Sequence, residues 1–284
     1  MLLLTALDLE YQAVRAHLTE VTLRPHPAGT LFETGHLPAS NTAITIAVTG
    51  EGNREAAVLA ERAIRIFSPQ ALIFAGLAGA LKDDIALGDV VVATRVYAYG
   101  GGKQDEGSFL ARPRAWDAPH ELEQLSRHVA RTRSWARFLT PSPPERLPAV
   151  HFKPIAAGEV LLNSRETPLA RQLHHTYNDA VAIEMESAGV SQAGHLNRSL
   201  PVLTIRGISD KADRGKPSAD EAGWQLIAAA HAAAFALALA AELTAADGTG
   251  ESGVHGEPSR PAPQEDGGPL VSRTLSAEGP LDGW

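Results

Sequence analysis

The chain has 284 residues, 44% of them hydrophobic, and a formal net charge of -8. A hydrophobic fraction of this size excludes a mainly disordered chain and suffices for the core of one large α/β domain. The net acidity disfavours a nucleic-acid partner because it gives no gain from the release of phosphate counterions, and the absence of cysteine excludes disulfides, thiolate catalysis and cysteine zinc sites.

The apolar segments give no indication of export or membrane insertion. The first residues, MLLLTALDLE, reach an acid at position eight, whereas a secretory signal needs a basic start and a longer apolar run. We expect no stretch to reach the ~18 apolar residues of a membrane span, and the nearest, HAAAFALALAAEL, is rich in alanine and contains His231. We therefore predict a cytoplasmic protein without a membrane partner.

Apolar runs of strand length alternate with helical patterns over most of the chain. Two β-branched runs, at 30–37 and 42–50, predict an antiparallel pair joined by a turn. Amphipathic or apolar helical spacing predicts helices at 53–67, with Asn53 as N-cap, at 121–139 and at 222–243. This alternation predicts an α/β fold of three layers, in which helices flank a central twisted, mostly parallel (mixed) sheet.

The composition changes after Ala246. Residues 247–284 are rich in Gly, Pro, Ser and acidic residues, and their few apolar side chains are scattered. Such a segment buries too little apolar surface to offset its ordering entropy. We predict one domain over 1–246 and a disordered tail over 247–284, with a short partner-binding peptide around Leu270–Leu275 or at Trp284 as the alternative.

Four acidic side chains fall at predicted strand ends or in the turns after them: Glu10, Glu184, Glu186 and Asp210. Each of them alone is explained as an N-cap or first-turn acid, which the helix dipole favours. Ligands of such sheets bind beyond the carboxyl ends of the strands, and burial there raises carboxyl pKa values. A set of acids in that region therefore predicts acid–base catalysis.

The segments around these acids resemble one family. LLLTALDLE, VTGEGNREAA, IFAGLAGALKDDIALGDVVVA, GEVLLNS, AIEMESAG and VLTIRGISDKAD stand in the order found in methylthioadenosine/S-adenosylhomocysteine nucleosidases and related purine nucleoside phosphorylases. The resemblance covers roughly residues 1–245, and AIEMES and RGISDKAD are its most specific parts. It implies a nucleoside phosphorylase-like fold, a homodimer, and hydrolysis of the N-ribosyl bond of an adenine nucleoside.

The resemblance also implies a role for each matching residue. It assigns Glu10 to deprotonation of the attacking water, with Arg206 beside that water. It assigns Glu186 to the ribose hydroxyls and Asp210, steadied by Ser209, to N7 of the leaving purine. The other substrate-binding positions that it implies are Met185 on the sugar face, Leu161 and Leu162 beside the base, Glu184, and Gly76.

Two positions depart from the pattern of that family. Leu77 stands in the Gly-rich turn GLAGA where a small hydroxyl residue is common, which concerns the contact to the catalytic water. Leu161 stands where bacterial nucleosidases have an aromatic residue that stacks on the base, which concerns base affinity and the choice of substrate. Leucine at both positions is also consistent with a closed apolar pocket.

Phosphorolysis and ligand sensing are the alternatives to hydrolysis. A phosphorylase needs a cationic, Gly-rich cradle for phosphate near the end of the first strand, and the chain has Asp8 and Glu10 there. A silent nucleoside sensor or a nucleotide-depleting effector module belongs to a different class, and the retained acids favour an enzyme over a sensor. The aspartate proposed to face the base favours a 6-aminopurine over a 6-oxopurine.

No cofactor or metal ion is expected. The segment GEGNRE has two of the three glycines of a dinucleotide fingerprint and lacks the third. His174 and His175 lie on a predicted helix without a second pair of ligands, so a partly solvated helix end is the simpler interpretation.

Overall fold

The computed structural model describes residues 1–38, 40, 42–106, 108–139 and 147–250. In chain order, the strands are β1 (Leu2–Thr5), β2 (Thr19–Pro25), β3 (Leu31–Leu37), β4 (Thr42–Val48), β5 (Leu72–Ala80), β6 (Val90–Ala98), β7 (Gly102–Asp105), β8 (Ser108–Ala111), β9 (Arg114–Asp117), β10 (Val150–Ala157), β11 (Ala182–Glu184) and β12 (Val202–Asp210). The helices are α1 (Asp8–Arg15), α2 (Asn53–Phe67), α3 (His120–Thr132), α4 (Pro168–Thr176), α5 (Ser187–Leu196), α6 (Lys216–Glu221) and α7 (Trp224–Gly250), with a 3₁₀ helix at Ser134–Phe138.

A mixed sheet forms the centre of the protein. Its main path runs β11-β10-β6-β12-β5-β1-β4-β3-β2, and β9 pairs with β6. The central pairs β4–β1, β1–β5 and β5–β12 are parallel, whereas β12 and β6 are antiparallel. Because β11 also pairs with β5, the strands β5, β12, β6, β10 and β11 close into a ring. The expected mixed sheet is confirmed, as is the antiparallel pairing of β3 with β4.

Helices cover both faces of this sheet. Leu3 of β1 belongs to a core cluster that includes Phe235 of α7, and its neighbour Leu4 belongs to a second cluster with Ala60 of α2 and Val190 of α5. Successive side chains of a strand point to opposite faces, so β1 is buried on both sides. This explains the continuous apolar run Leu2–Leu4 at the start of the chain.

The expected N-cap of α2 is wrong by one residue. Gly52 occupies the cap position with a φ of 95°, and Asn53 is the first helical residue. The Asn53 side chain bridges two other segments, since its Nδ2 donates to the carbonyl oxygen of Gly158 and its Oδ1 accepts from the amide of Gly189. Tertiary contacts of the side chain therefore replace the local cap.

The helix expected over 121–139 is two elements. The chain turns at Arg133, where φ is 55°, between α3 and the 3₁₀ helix. The turn directs Trp135 into the core, where its ring centre lies 5.8 Å from that of Phe235. Burial of this aromatic side chain explains why the helix does not continue.

The helix α7 corrects one expectation from the sequence. Among the described residues, Trp224–Ala245 is long and apolar enough to cross a membrane, with a mean hydropathy of 1.9, although 72% of its apolar window is buried inside the protein. A helix that packs against the sheet within a core is apolar on all sides for that reason. It continues to Gly250, beyond the boundary expected at Ala246. Residues 251–284 lie outside the described residues, so the tail remains a prediction.

The strand β12 lies very close to α7 at Gly207. A Cβ at this position would lie 2.0 Å from the backbone carbonyl oxygen of Ala228. Because the obstacle is backbone, Gly207→Ala must separate the helix from the strand, and we expect a loss of about 1–3 kcal/mol, as for an overpacked core. Thermal unfolding should show a Tm lower by ~2–4 °C for each kcal/mol lost.

The matched control is Gly100→Ala, where nothing lies within 4 Å of the new Cβ. We expect this variant to melt within about one degree of the parent protein, as surface substitutions usually do. Equal melting temperatures for the two variants would contradict the close packing of β12 on α7.

Candidate active site

Buried charged residues meet at one end of the sheet. Glu10 lies in the first turn of α1, after β1, and Glu186 directly precedes α5. Glu184 ends β11, and β12 carries Arg206 and ends at Asp210. Their exposed fractions are between 0% and 7%. The structure thus brings together residues expected from the sequence to be catalytic (Glu10, Arg206 and Asp210) and residues expected to bind the substrate (Glu184 and Glu186).

The carboxylate of Glu10 is held on both oxygens. Its Oε2 accepts hydrogen bonds from the amides of Ala6 and Leu7 at 2.8 and 2.9 Å, and its Oε1 accepts from the amide of Leu77 at 2.7 Å. Burial raises the pKa of Glu10, while the charge of Arg206 and these three amides oppose the rise. Glu10 therefore acts as a first-turn acid of α1 and also faces β5.

Gly76 makes room for two charged groups. A Cβ at this position would lie 2.2 Å from Nη1 of Arg206 and 2.6 Å from Oε1 of Glu10. The carboxylate and the guanidinium therefore converge over the backbone of Gly76. The Gly-rich segment GLAGA was expected to be a turn, but it lies within β5, so its glycines clear space beside a strand.

Arg206 is fully buried. Its Nη2 donates to Glu184 and, at 3.0 Å, to the hydroxyl of Ser187, and its Cζ lies 4.3 Å from the centre of the Phe74 ring. Its Nε and Nη1 have no hydrogen-bond partner among the described residues. Since Nη1 is directed toward Gly76 and Glu10, its N–H groups lie beside a buried carboxylate and are left for another molecule.

The Oε2 oxygen of Glu184 accepts hydrogen bonds from several protein groups. Besides Arg206, its Oε2 accepts from the amides of Glu186 and Ser187 and from the Ser187 hydroxyl. These contacts fix the start of α5 and the guanidinium at the same time. They support a positioning role for Glu184, and Ser187 is a supporting residue that the sequence did not single out.

Glu186 is a second buried acid whose pKa is raised. Burial raises the pKa of Glu186 to about 7, and the nearby charge of Glu184 adds to the rise. Its Oε1 accepts from the amide of Gly52 at 3.0 Å. Met185, the neighbouring residue, is half-buried. The loop before α2 is thus joined to the acid expected to bind the sugar.

Asp210 is the last residue of β12. Its Oδ1 accepts from the amide of Ala212 at 2.8 Å, and its Oδ2 accepts from the Ser209 hydroxyl at 3.1 Å and from Nζ of Lys216 at 2.7 Å. A Cβ on Gly79 would lie 2.7 Å from Oδ1. The contact with Lys216 was not predicted, because nothing in the spacing of RGISDKADRGK distinguishes this lysine from its neighbours.

The two leucines expected beside the base differ in their surroundings. Leu161 is 59% exposed, whereas Leu162 is buried in a cluster with Leu173 and Tyr177. Leu161 is therefore the one of the two that is accessible to another molecule. Within the part of the chain that the structure describes, no group of three His, Asp or Glu side chains is placed to hold a metal ion.

The ionisation of Glu186 predicts a stability change with pH. Because its folded pKa is raised from 4.5 to about 7, its contribution to stability is fully present below pH 4.5 and is lost as the pH rises through 7. A shift of this size corresponds to on the order of 3 kcal/mol. We expect the free energy of unfolding, relative to that of Glu186→Gln, to fall between about pH 5 and about pH 8, measured by urea titration.

Comparison with Glu186→Gln isolates this group from others. Burial lowers the pKa values of His17 and His231, so their contributions to stability change in the opposite direction as the pH rises toward their ordinary value. Both histidines are present in the two proteins and cancel in the difference. A difference that stays constant over the pH range would contradict a raised pKa of Glu186.

Comparisons with known proteins agree with this architecture. The chain is 28% identical over 192 residues to the 5′-methylthioadenosine/S-adenosylhomocysteine nucleosidase of Maridesulfovibrio salexigens, which covers 66% of this chain and 76% of the relative. It is also 28% identical over 199 residues to the ATP nucleosidase Cap17 of Escherichia coli, covering 63% of this chain and 38% of that longer protein.

Solved structures show the same fold. A 5′-methylthioadenosine/S-adenosylhomocysteine nucleosidase from Neisseria meningitidis, in complex with methylthio-immucillin-A, superposes with a TM-score of 0.72 at 22% identity over 85% of this chain and 98% of its own. The futalosine hydrolase of Helicobacter pylori gives a TM-score of 0.69 at 21% identity, covering 85% and 97%. The family model of the phosphorylase superfamily matches residues 1–241, and the chain therefore belongs to the phosphorylase superfamily.

Proposed function

We propose that this protein is a hydrolase that cleaves the N-ribosyl bond of an adenine nucleoside and releases adenine. The observation that carries the proposal is the convergence of Glu10 and the unpartnered Nη1 of Arg206 over Gly76. The nucleosidases to which the chain is similar support this reaction class.

Water is the nucleophile that suits this arrangement. A water molecule beside Gly76 accepts a hydrogen bond from Nη1 of Arg206 and donates one to Oε1 of Glu10, which satisfies the guanidinium donor. Burial raises the pKa of Glu10, and a base whose pKa lies closer to the working pH takes a proton more readily. Leu77 contributes its amide to Glu10 and so orients the carboxylate, although its side chain offers the water no hydroxyl group.

The sugar passes through an oxocarbenium-like state when the N-ribosyl bond breaks, as in glycoside hydrolysis. Glu186 accepts hydrogen bonds from the ribose hydroxyls, and its negative charge stabilises the cationic ring. Met185 packs on the face of the sugar. Glu184 acts through Arg206 and Ser187, which it holds in place, rather than through the substrate.

The base needs a proton because a purine anion is a poor leaving group. Asp210, steadied by Ser209, donates a proton to N7 and accepts a hydrogen bond from the exocyclic amine of a 6-aminopurine. A 6-oxopurine would place an oxygen against an oxygen at the same point. Leu161 and Leu162 border the base, and the exposure of Leu161 leaves it free to pack on the ring.

Hydrolysis fits this site better than phosphorolysis. A phosphate dianion beside Glu10 would meet a repulsion of about 4 kcal/mol per pair of unit charges 4 Å apart at an effective dielectric of 20. Arg206 carries a single positive charge, which Glu184 already balances, and the charge of the exposed Arg54 is screened by solvent. Asp8 is also exposed, so the repulsion comes from the buried Glu10 and only weakly from Asp8.

A second candidate function differs in the group that the substrate carries at its 5′ position, which would be a phosphate chain in a nucleotide. The similarity to the ATP nucleosidase Cap17, confined to 38% of that protein, favours a nucleotide-depleting effector as the alternative to nucleoside catabolism. The resemblance to the nucleosidases supports our proposal of a homodimer in the cytoplasm, with a small-molecule substrate as its partner.

The products of the reaction test the proposed function. We expect the full chain, incubated with 5′-methylthioadenosine, S-adenosylhomocysteine, adenosine and ATP, to release free adenine from at least one of them in phosphate-free buffer. Added phosphate should leave the rate unchanged, and chromatography should detect the free sugar. An absolute requirement for phosphate, with a sugar 1-phosphate as product, would show phosphorolysis, and no release from any substrate would favour a sensor.

Isosteric amides test the two acids. We expect Glu10→Gln and Asp210→Asn each to lower kcat by about 10²-fold or more, because each removes one proton transfer. The matched control is Asp8→Asn, which makes the same change in the first turn of α1 at an exposed side chain and should keep the rate. Near-normal turnover in both buried variants, with unchanged melting curves, would contradict the mechanism.

A further inference from the structure

Lys216 contacts the acid that faces the base. Its Nζ lies 2.7 Å from Oδ2 of Asp210, and the lysine side chain is 19% exposed whereas the aspartate side chain is 6% exposed. Lys216 is the first residue of α6, which starts six residues after the end of β12. The pair is thus mostly buried at Asp210 and open to solvent only on the side of the lysine.

The other cations of this region are engaged elsewhere. Nζ of Lys211 donates to the carbonyl oxygens of Asp83 and Ile85. Arg165 donates to Asp83 and to the carbonyl oxygens of Ala80 and Lys211. Neither pairs with Asp210, although Lys211 is its neighbour in the sequence. Lys216 is therefore placed to act on this carboxylate, and Lys211 is not.

The pairing raises a chemical question that the proposed function leaves open. An aspartate in contact with an ammonium group is stabilised as the carboxylate, and a carboxylate has no proton to give to N7. Oδ2 already accepts from the Ser209 hydroxyl and from Lys216. Among the described contacts of Asp210, the ammonium of Lys216 is the most acidic donor, and it is therefore the protein group best suited to supply the proton.

We propose that Lys216 is the residue that supplies this proton, acting through Asp210. The inference rests on the proposed function of the site. As the bond between C1′ and N9 breaks and its electron pair passes to the purine, Nζ of Lys216 gives a proton to the carboxylate of Asp210 and becomes a neutral amine. Asp210 passes that proton to N7. Solvent then returns a proton to Lys216, so one proton moves from water to the base.

Two features suit this role, namely the basicity of the leaving group and the exposure of the lysine. The departing purine anion is a much stronger base than a carboxylate, so it draws the proton through Asp210. The partial exposure of Lys216 gives water access to the amine, so the residue can be reprotonated in each turnover.

The leaving group provides a test that a structural role would not pass. We compare release of adenine from the best nucleoside with release of nitrophenolate from the nitrophenyl glycoside of the same sugar, since nitrophenolate leaves without a proton. We expect Lys216→Met to lower kcat for the nucleoside by about 10²-fold and to change the rate for the nitrophenyl glycoside by less than about 3-fold. Lys216→Gln should behave in the same way if Met disturbs folding.

Two further variants separate proton supply from charge. Lys216→Arg keeps a cation beside Asp210 but cannot give up its proton, so it should not restore adenine release. Lys211→Met makes the same change at the neighbouring lysine and should leave the ratio of the two rates unaltered. In an Asp210→Asn background, Lys216→Met should cause little further loss, because both residues act on one proton.

Each outcome decides the proposal. Equal losses on the two substrates, full rescue by Lys216→Arg, or no loss in Lys216→Met would overturn the role of Lys216 while leaving hydrolysis in place. A wild-type protein that cleaves neither substrate would overturn the proposed function itself. Selective loss on the nucleoside without rescue by arginine would establish Lys216 as the source of the proton.

Discussion

The fully buried guanidinium of Arg206 is the constraint on which the site depends. Removing an ion from water costs several kcal/mol even after relaxation, and only close partners offset that cost. Glu184 and the Phe74 ring supply them. Because Glu184 also accepts from Ser187, the ion pair ties together the end of β11, the start of α5 and the middle of β12. The positions of the proposed catalytic groups follow from that connection.

The charged groups of the site explain the glycines of β5. The guanidinium and Glu10 meet above Gly76, and Asp210 lies above Gly79, so a side chain at either glycine would occupy the space of a charged group. A strand with two such glycines is intrinsically weak, and its pairing with β1 and β12 in the centre of the sheet stabilises it. Glycine is thus required at both positions because charged side chains lie directly over the backbone of β5.

Periodicity and strand-end chemistry predicted much of this structure. The alternation of apolar runs indicated a mixed α/β sheet, and the acids after the runs indicated where the site lies. The sequence did not predict the break at Arg133, because the burial of Trp135 against Phe235 is a tertiary contact. It also did not predict Lys216, whose contact with Asp210 depends on the path of the chain between β12 and α6. The helix break at Arg133 and the position of Lys216 both depend on tertiary contacts, which local sequence patterns do not reveal.

The charge balance of the site accounts for its preference for a cationic transition state. The side chains at its centre are four carboxylates and two cations, namely Glu10, Glu184, Glu186, Asp210, Arg206 and Lys216. Fully ionised, they leave an excess of negative charge in a buried region, and the charges of Glu184 and Glu10 add to the rise in the pKa of Glu186 that burial causes. An oxocarbenium-like sugar brings positive charge to that region, whereas a neutral nucleoside does not. The excess charge therefore stabilises the transition state more than the substrate, which is the condition for catalysis.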